Sequence, residues 1–399
     1  MASVSEEARV DDPKAEAGVP FISIDDLREA QGAVLIDLRA PIEFEQDHLP
    51  GAINIPLFEN ETRSFVGLLY KQHSPEAAFD EARAVVIERV EGLVSAIAKA
   101  AGRALPLEGL TERVKGMTAH GIARAEQDLA PFRSSVDPGG AVVLSCARGG
   151  LRSRSVVALL RAIGLENAVG LEGGYKAFRH RAMETLEHWV PSRPVVVLRG
   201  LTGVGKTLLL GRIEELRPHS TLDLEGLAAH RSSLLGMVGR SPRTQKAFDS
   251  HLAARLESGF ASGPIFVEGE SRKVGNSVIP PSVWDALRGG VNVRVTASLG
   301  RRVEVLKRDY MAIDEALPEL RTQLGKVAQR MEGTPPLQEM LDDGRVNELV
   351  ELLLARYYDP LYLGSEQGKT YVATIDADDI DAAAHELLAL SDRLETKGA

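Results

Sequence analysis

Residues 200 to 207 read GLTGVGKT, a match to G-x-x-x-x-G-K-[ST] that follows the apolar run PVVVLRG and opens a segment of helical pattern ending near Arg217-Pro218. That context constrains the fold more than any other feature of the chain. The motif works only where a strand hands a glycine loop to a helix N-terminus, so that loop amides and the helix dipole converge on a phosphate. Gly200, Gly203 and Gly205 supply the turns, Lys206 neutralises a diphosphate, and Thr207 stands where a Mg²⁺-binding hydroxyl belongs. The next buried strand, PIFVEGE, ends in Glu268, the position from which an acid holds a metal-bound water. The loop asks for a diphosphate and nothing in it demands nucleotide hydrolysis. A nucleotide kinase and an enzyme of another diphosphate ester, a prenyl diphosphate included, satisfy it equally.

A second α/β pattern precedes the loop. AVLIDLR at residues 33 to 39 reads as a buried strand, residues 75 to 101 as a long helix, and a second helical pattern runs to residue 132. GGAVVLSC is a strand of about six residues, RGGLRSRSVVALLRAIG a glycine loop opening a helix that Gly164 stops, and a strand at 168 to 171 and a helix at 175 to 189 follow. Strand, loop, helix and strand in this order predict a parallel sheet with crossover helices. Pro191 and Pro194 bracket a joint no helix can cross. The expected organisation is an unordered acidic tail over residues 1–20, a parallel-sheet domain over 21–190 and a P-loop α/β domain over 194–399. In the last of these NVRVTASL is a third strand, and the final 90 residues are mostly helical before the strand YVATID.

Composition narrows the chemistry. Of 399 residues 44% are hydrophobic and 26% charged, the balance of a soluble globular protein. Cys146 is the single cysteine, which excludes an intrachain disulfide and any site of several thiolates, and fits a reducing cytoplasm. The scattered histidines form no H-E-x-x-H, so no structural metal is expected. The N-terminus has neither a basic leader nor an apolar core, and no apolar stretch reaches membrane-spanning length, so neither export nor insertion is expected. Net charge is −10, yet residues 231 to 330 hold 16 Lys/Arg against 10 Asp/Glu. One segment is therefore basic enough to meet a polyanion.

Cys146 ends a strand and is followed by Ala147-Arg148-Gly149-Gly150-Leu151-Arg152-Ser153 at a helix start. Such a loop wraps its amides around one point at the positive end of a helix dipole. With Arg148 and Arg152 beside it, a thiol held there is expected to ionise, as a sulfur nucleophile or a persulfide-type carrier requires. Asp37-x-Arg39, DHLPGAINIP and C-x-R-G-G-x-R-S resemble a rhodanese domain. The C-x5-R spacing to Arg152 also resembles rhodanese-related phosphatases, although Ser145 stands where those have histidine. The residues around the cysteine do not choose between the two.

The order of the two domains, with DLEGLAAHRSS, TQKAF, VEGESRKVGN and YYDPLY after the P-loop and VGLLYKQHSPEAAF in the first domain, resembles the tRNA 2-selenouridine synthases. The resemblance implies a transferase acting on the wobble 2-thiouridine of tRNA. The sulfur is first geranylated from geranyl diphosphate, and the geranylthio group is then replaced by selenium from selenophosphate. It implies Cys146 for the selenium step, with Arg148, Gly149, Gly150 and Arg152 on the phosphate of selenophosphate. Gly200, Gly203, Gly205, Lys206, Thr207 and Glu268 would serve the prenyl diphosphate, with Mg²⁺ at Thr207 and Glu268. Arg231, Arg243, Lys246, Arg272, Lys273, Arg301 and Arg302 would track the tRNA backbone, as would Arg240, Lys307 and Arg308. Neither a membrane nor an obligate protein partner is expected. A rhodanese-like phosphatase or sulfurtransferase fused to a P-loop small-molecule kinase is the competing reading. It uses both loops and leaves the basic segment unexplained. This chain carries Ser232 where the family has a glycine after His-Arg.

Overall fold

Short runs of β-branched and aliphatic residues form six strands in the first half of the chain: β1 (Val19–Ile22), β2 (Val34–Asp37), β3 (Ile53–Asn54), β4 (Pro131–Arg133), β5 (Val142–Ser145) and β6 (Ala168–Leu171). A computed structural model of the protein describes residues 18–133, 137–269, 271–311, 314–331, 335–361 and 368–398. These fall into two compact units, Met1–His180 and Arg181–Ala399. In the first, the strands make one sheet in the order β3-β2-β5-β6-β1-β4, every pair parallel. Parallel neighbours need crossovers, supplied here by helices α1 (Ile24–Glu29), α2 (Pro41–Gln46), α3 (Asn60–Gln72), α4 (Pro75–Ala100), α5 (Leu110–Met117), α6 (Gly121–Asp128) and α7 (Leu151–Ala162), while α8 (Gly174–His188) follows the last strand.

The expected unordered tail lies largely outside the described residues, but β1 begins inside its span. Val19 is fully buried and donates its N–H to the Ala130 carbonyl. The single helical pattern expected before residue 132 is two short helices and a strand. Gly121, at φ +76°, turns the chain between α5 and α6, and Pro131–Arg133 pairs with β1 at the sheet edge, where a proline costs no ladder bond. Helix α4 is the long element of the unit. Pro75 occupies its first turn and the Ser74 hydroxyl accepts the Ala77 N–H, a cap and a start signal together. Val90, Leu93, Val94 and Ile97 of α4 pack with Leu144, Val156 and Leu160 in the main core.

The second unit has a five-stranded parallel sheet of β7 (Val195–Arg199), β8 (Thr221–Leu222), β9 (Ile265–Glu268), β12 (Val291–Thr296) and β13 (Ala373–Asp376), ordered β13-β12-β7-β9-β8. Strands β10 (Lys273–Val274) and β11 (Ser277–Val278) form a separate antiparallel pair. Helices α9 (Lys206–Leu216), α10 (Leu224–Ala228), α11 (Gln245–Glu257), α12 (Pro281–Gly289) and α17 (Ile380–Gly398) belong to the sheet. The expected helical addition is present: α13 (Leu299–Met311), α14 (Leu317–Ala328), α15 (Leu337–Asp342) and α16 (Val346–Leu353) bury their own core around Leu306, Leu320, Leu349 and Tyr358. No helix among the described residues is long and apolar enough to cross a membrane.

Candidate functional site

In the first unit β5 delivers Cys146 to the sheet's C-terminal edge, and α7 starts at Leu151 with Gly150 as its cap residue and no side chain on its first amides. Helix-end N–H groups left in this way favour an anion. Gly149 makes the turn at φ +63°, a conformation open to glycine. Arg154 ties the loop by donating Nε–H to the Gly149 carbonyl at 3.1 Å. The Cys146 sulfur is 2% exposed and lies 3.3 Å from the Ser153 hydroxyl. Burial pushes the thiol up. The Arg152 charge, the Ser153 hydroxyl and the amides of Arg148 and Ser153 outweigh it and hold the group below its ordinary value of 9.0. The sulfur is thus biased toward thiolate. Arg148 is exposed, while Arg152 Nη1 is buried without a hydrogen-bond partner, 4.0 Å from the Glu43 carboxylate.

The loop rests on residues to which sequence reasoning gave no role. Gly173 and Gly174 follow β6, and a methyl group on Gly174 would stand 2.2 Å from the Cys146 carbonyl oxygen. That close approach lets Tyr175 N–H donate to the Cys146 carbonyl and Lys176 N–H to that of Ala147. Tyr175 in turn donates its hydroxyl to Asp47 at 2.8 Å and stacks under Arg39, whose guanidinium sits 3.7 Å from the ring centre. Arg39 is paired with Asp37 at 2.6 Å, both buried. The string E-G-G-Y directly after a strand was the signal available for this buttress.

The second unit places GLTGVGKT between β7 and α9, with Gly200, Gly203 and Gly205 all at positive φ. The Lys206 ammonium donates to the carbonyls of Gly200 and Leu201, at 2.9 and 3.3 Å. Thr207 donates its hydroxyl to Glu225 at 3.3 Å, and Glu268, 1% exposed, accepts the Glu225 N–H at 2.8 Å. Glu225 is the acid that sequence reasoning missed. It follows Asp223, which caps α10 by accepting the Gly226 N–H. It also accepts the Ser232 N–H at 2.6 Å. Ser232 is not among the residues at positive φ, so serine fits the position where the family has glycine.

The basic residues divide. Lys246, Arg272 and Lys273 are exposed, and Arg301 is half-buried beside Glu304 at 3.3 Å. Three others are turned inward and close local carbonyls. Arg302 is 7% exposed, donates to the Thr202 carbonyl of the P-loop at 2.9 Å and pairs with Asp359. Arg243 donates to the carbonyls of Gly226 and Leu227, both at 2.8 Å. Arg231 lies over Tyr310 and donates to the Val238 carbonyl. Each fills the unpaired carbonyls of a loop or helix end, a local need that net charge does not reveal.

A family model described as "Rhodanese-like domain" matches residues 23–115, and one described as "tRNA 2-selenouridine synthase AAA domain" matches residues 193–343. The protein named tRNA 2-selenouridine synthase from Nitrosomonas europaea is 31% identical, the alignment covering 87% of this chain and 93% of that one. The chain belongs to the tRNA 2-selenouridine synthase family. Proteins of the same name from Alcanivorax borkumensis, 30% identical over 82% of this chain and 88% of that one, and from Cronobacter sakazakii, 34% identical over 70% and 65%, agree. Both domains of this tRNA 2-selenouridine synthase family member are of the α/β class expected. The rhodanese-like parallel sheet comes first and the P-loop domain with its helical addition second.

Proposed function

We propose that this enzyme is a tRNA-modifying transferase that converts wobble 2-thiouridine to 2-selenouridine by way of an S-geranyl intermediate. The observation that carries the reading is the pair of anion cradles. One is built around a cysteine held toward thiolate; the other sets a P-loop lysine on its loop carbonyls and its hydroxyl beside Glu225, which Glu268 holds by its N–H. In the first step the thiocarbonyl sulfur forms a bond to C1 of geranyl diphosphate as the C–O bond breaks. Diphosphate departs with the electron pair, and the N3 proton is lost. The P-loop amides and Lys206 stabilise the charge that develops on the leaving group. Thr207, with Glu225 3.3 Å away and Glu268 behind it, offers the oxygen donors a divalent cation takes, and a cation held there would share that charge.

In the second step selenium of selenophosphate bonds to C2, geranylthiol leaves with a proton, and water takes the phosphoryl group as phosphate. Alkylation makes the sulfur a leaving group and C2 an electrophile, which a thiocarbonyl is not. Arg148, Arg152, and the amides of Gly149 and Gly150 bind the phosphate of selenophosphate, beside Cys146. Lys246, Arg272 and Lys273, exposed on the P-loop unit, meet the tRNA backbone.

The test is mass spectrometry of nucleosides from 2-thiouridine tRNA given geranyl diphosphate, selenophosphate or both. The reading expects geranyl-thiouridine to accumulate in Cys146→Ala and neither product to form in Lys206→Ala. Wild-type protein that leaves tRNA untouched while hydrolysing phosphate esters or nucleotides would replace it with the phosphatase-kinase reading.

A further inference from the structure

Within the first unit, α3, α4, α5, α6 and α7 line a half-open pocket of about 600 Å³ that ends on the Cys146 loop. Its length is lined by Val66, Phe79, Val86, Met117, Ile122 and Leu159, and its end by Cys146, Arg148, Gly150 and Arg152. Phe79, Ala82, Val86, Met117 and Ile122 lie among the core helices and yet remain only partly buried, because they face this space rather than one another. A mainly apolar pocket of this size that ends beside a sulfur falls in the range of a ligand site. Two of the hydroxyls on its wall are already used. Thr118 donates to the Val114 carbonyl and accepts from Arg83, and Ser155 donates to the Leu151 carbonyl. The walls therefore offer a ligand mainly apolar contact, with Arg63, Tyr70, Lys71 and Arg83 the polar exceptions, while the cysteine end offers amides and guanidinium groups. A ligand that fits both is an apolar chain attached to a polar reacting group.

We infer that this cavity holds the apolar chain borne by the substrate sulfur, so that the carbon to which the sulfur is attached comes to rest at Cys146. The inference rests on the reading that the sulfur is prenylated, and it adds where the chain goes: into the rhodanese-like unit at the step in which the chain leaves. A cavity of 150 Å³ accommodates a six-carbon ring, so 600 Å³ has room for a ten-carbon chain together with part of the base. Seating the chain also takes the departing thiol out of water, with the chain along the helices and its sulfur at the loop that binds the incoming anion.

The experiment uses the full chain and two readouts. The first is direct binding, by calorimetry, of 2-thiouridine nucleosides whose sulfur carries a methyl, a five-carbon, a ten-carbon or a fifteen-carbon prenyl group. Affinity is expected to rise by at least about tenfold at each step up to ten carbons, from the roughly fourfold gain per buried methylene, and to stop rising at fifteen. Ala82→Trp and, independently, Ile122→Trp are expected to abolish the dependence on chain length while leaving the far-UV spectrum unchanged. Affinity that does not grow with chain length in the wild type overturns the inference without needing any variant, and so does chain-length dependence that survives in both folded variants. The second readout is selenation of RNA bearing the S-geranyl base. Its absence sinks the proposed reaction, whereas chain-length-dependent binding that disappears in the variants still supports the apolar-chain site.

Discussion

The Arg39–Asp37 pair sets the floor under the cysteine loop, and its removal has a calculable cost. Asp37 is fully buried at the end of β2. Arg39 donates Nε–H to both of its oxygens, at 3.1 and 2.9 Å, and Nη2–H to Oδ2 at 2.6 Å. The same Nη2 donates to the Asp47 carbonyl at 2.7 Å. Arg39→Met leaves a carboxylate without its counter-ion in a site closed to water, which costs about 3–5 kcal/mol. Asp37→Val with Arg39→Met removes both charges and substitutes apolar volume, and is expected to cost less than about 2 kcal/mol. With a urea slope of about 1–3 kcal/mol/M, the single change lowers the midpoint of the first unit by about 2 M. Both tryptophans, Trp189 and Trp284, lie in the second unit, so fluorescence follows that unit and far-UV circular dichroism adds the first. A single variant that loses less than about 1 kcal/mol, or a double variant that loses as much as the single, refutes the argument that charge burial rather than volume governs this position.

Three further outcomes are expected. Cys146 is held below its ordinary value, so its rate of alkylation by iodoacetamide levels off at lower pH than that of a free thiol; Arg152→Gln should move the profile upward and slow alkylation at neutral pH. Because the folded value is the depressed one, the stability linked to the thiolate is complete above the unfolded chain's value and is lost as pH falls through the folded one, which thermal melts across that window would register. Lys206→Ala should slow prenyl transfer about 100-fold, as loss of one charge-stabilising donor does, while selenation of RNA already bearing the S-geranyl group proceeds at the wild-type rate. Charge reversal at Lys246, Arg272 or Lys273 should flatten the salt dependence of tRNA binding by about 0.7–0.9 for each phosphate no longer neutralised; Arg243→Ala should instead lower the melting temperature, since its guanidinium closes the end of α10.

Both loops were legible in the sequence because each motif stood in its required context, an apolar run before it and a helical pattern after it. The long helix announced itself by Ala, Glu, Val and Ile at helical spacing from Pro75 on, and the helix after the cysteine loop by its glycines at either end. What escaped had local reasons. Strands β3 and β8 are two residues long, too short for any alternation to register. Strand β4 opens with a proline that reads as a breaker and is tolerated because the strand is at the sheet edge. Helix α3 buries no residue completely, so the stripe that marks a core-facing helix is weak there. At the sites, Glu225 and Tyr175 act through neighbours brought close only by folding, across 18 residues to Thr207 and 128 residues to Asp47. Arg302 and Arg243 were read as surface charge because a count of basic residues carries no information about which carbonyl ends they close.

The two cradles share one construction, a parallel strand, a glycine turn and an uncapped helix start, and differ in what the chain sets at the focus. In the P-loop the focus holds Lys206, with Thr207 beside Glu225, whose backbone N–H Glu268 accepts. That arrangement suits a ligand of high negative charge that must depart, since lysine and cation both strengthen their hold as charge develops. In the rhodanese-like unit the focus holds a sulfur that the Arg152 charge and the amides of Arg148 and Ser153 already stabilise as thiolate. A phosphate entering there finds the amides of Arg148 and Ser153 already turned to the sulfur. An anion is therefore accommodated through groups the sulfur leaves unused: the amides of Gly149 and Gly150, the exposed Arg148 side chain, and the Nη1 of Arg152, which is buried without a hydrogen-bond partner. The prediction that follows is kinetic. Arg148→Ala should raise the selenophosphate KM while leaving the Cys146 alkylation profile in place, whereas Arg152→Gln should change both. Equal behaviour of the two variants in both assays would show that the loop does not divide its cations in this way.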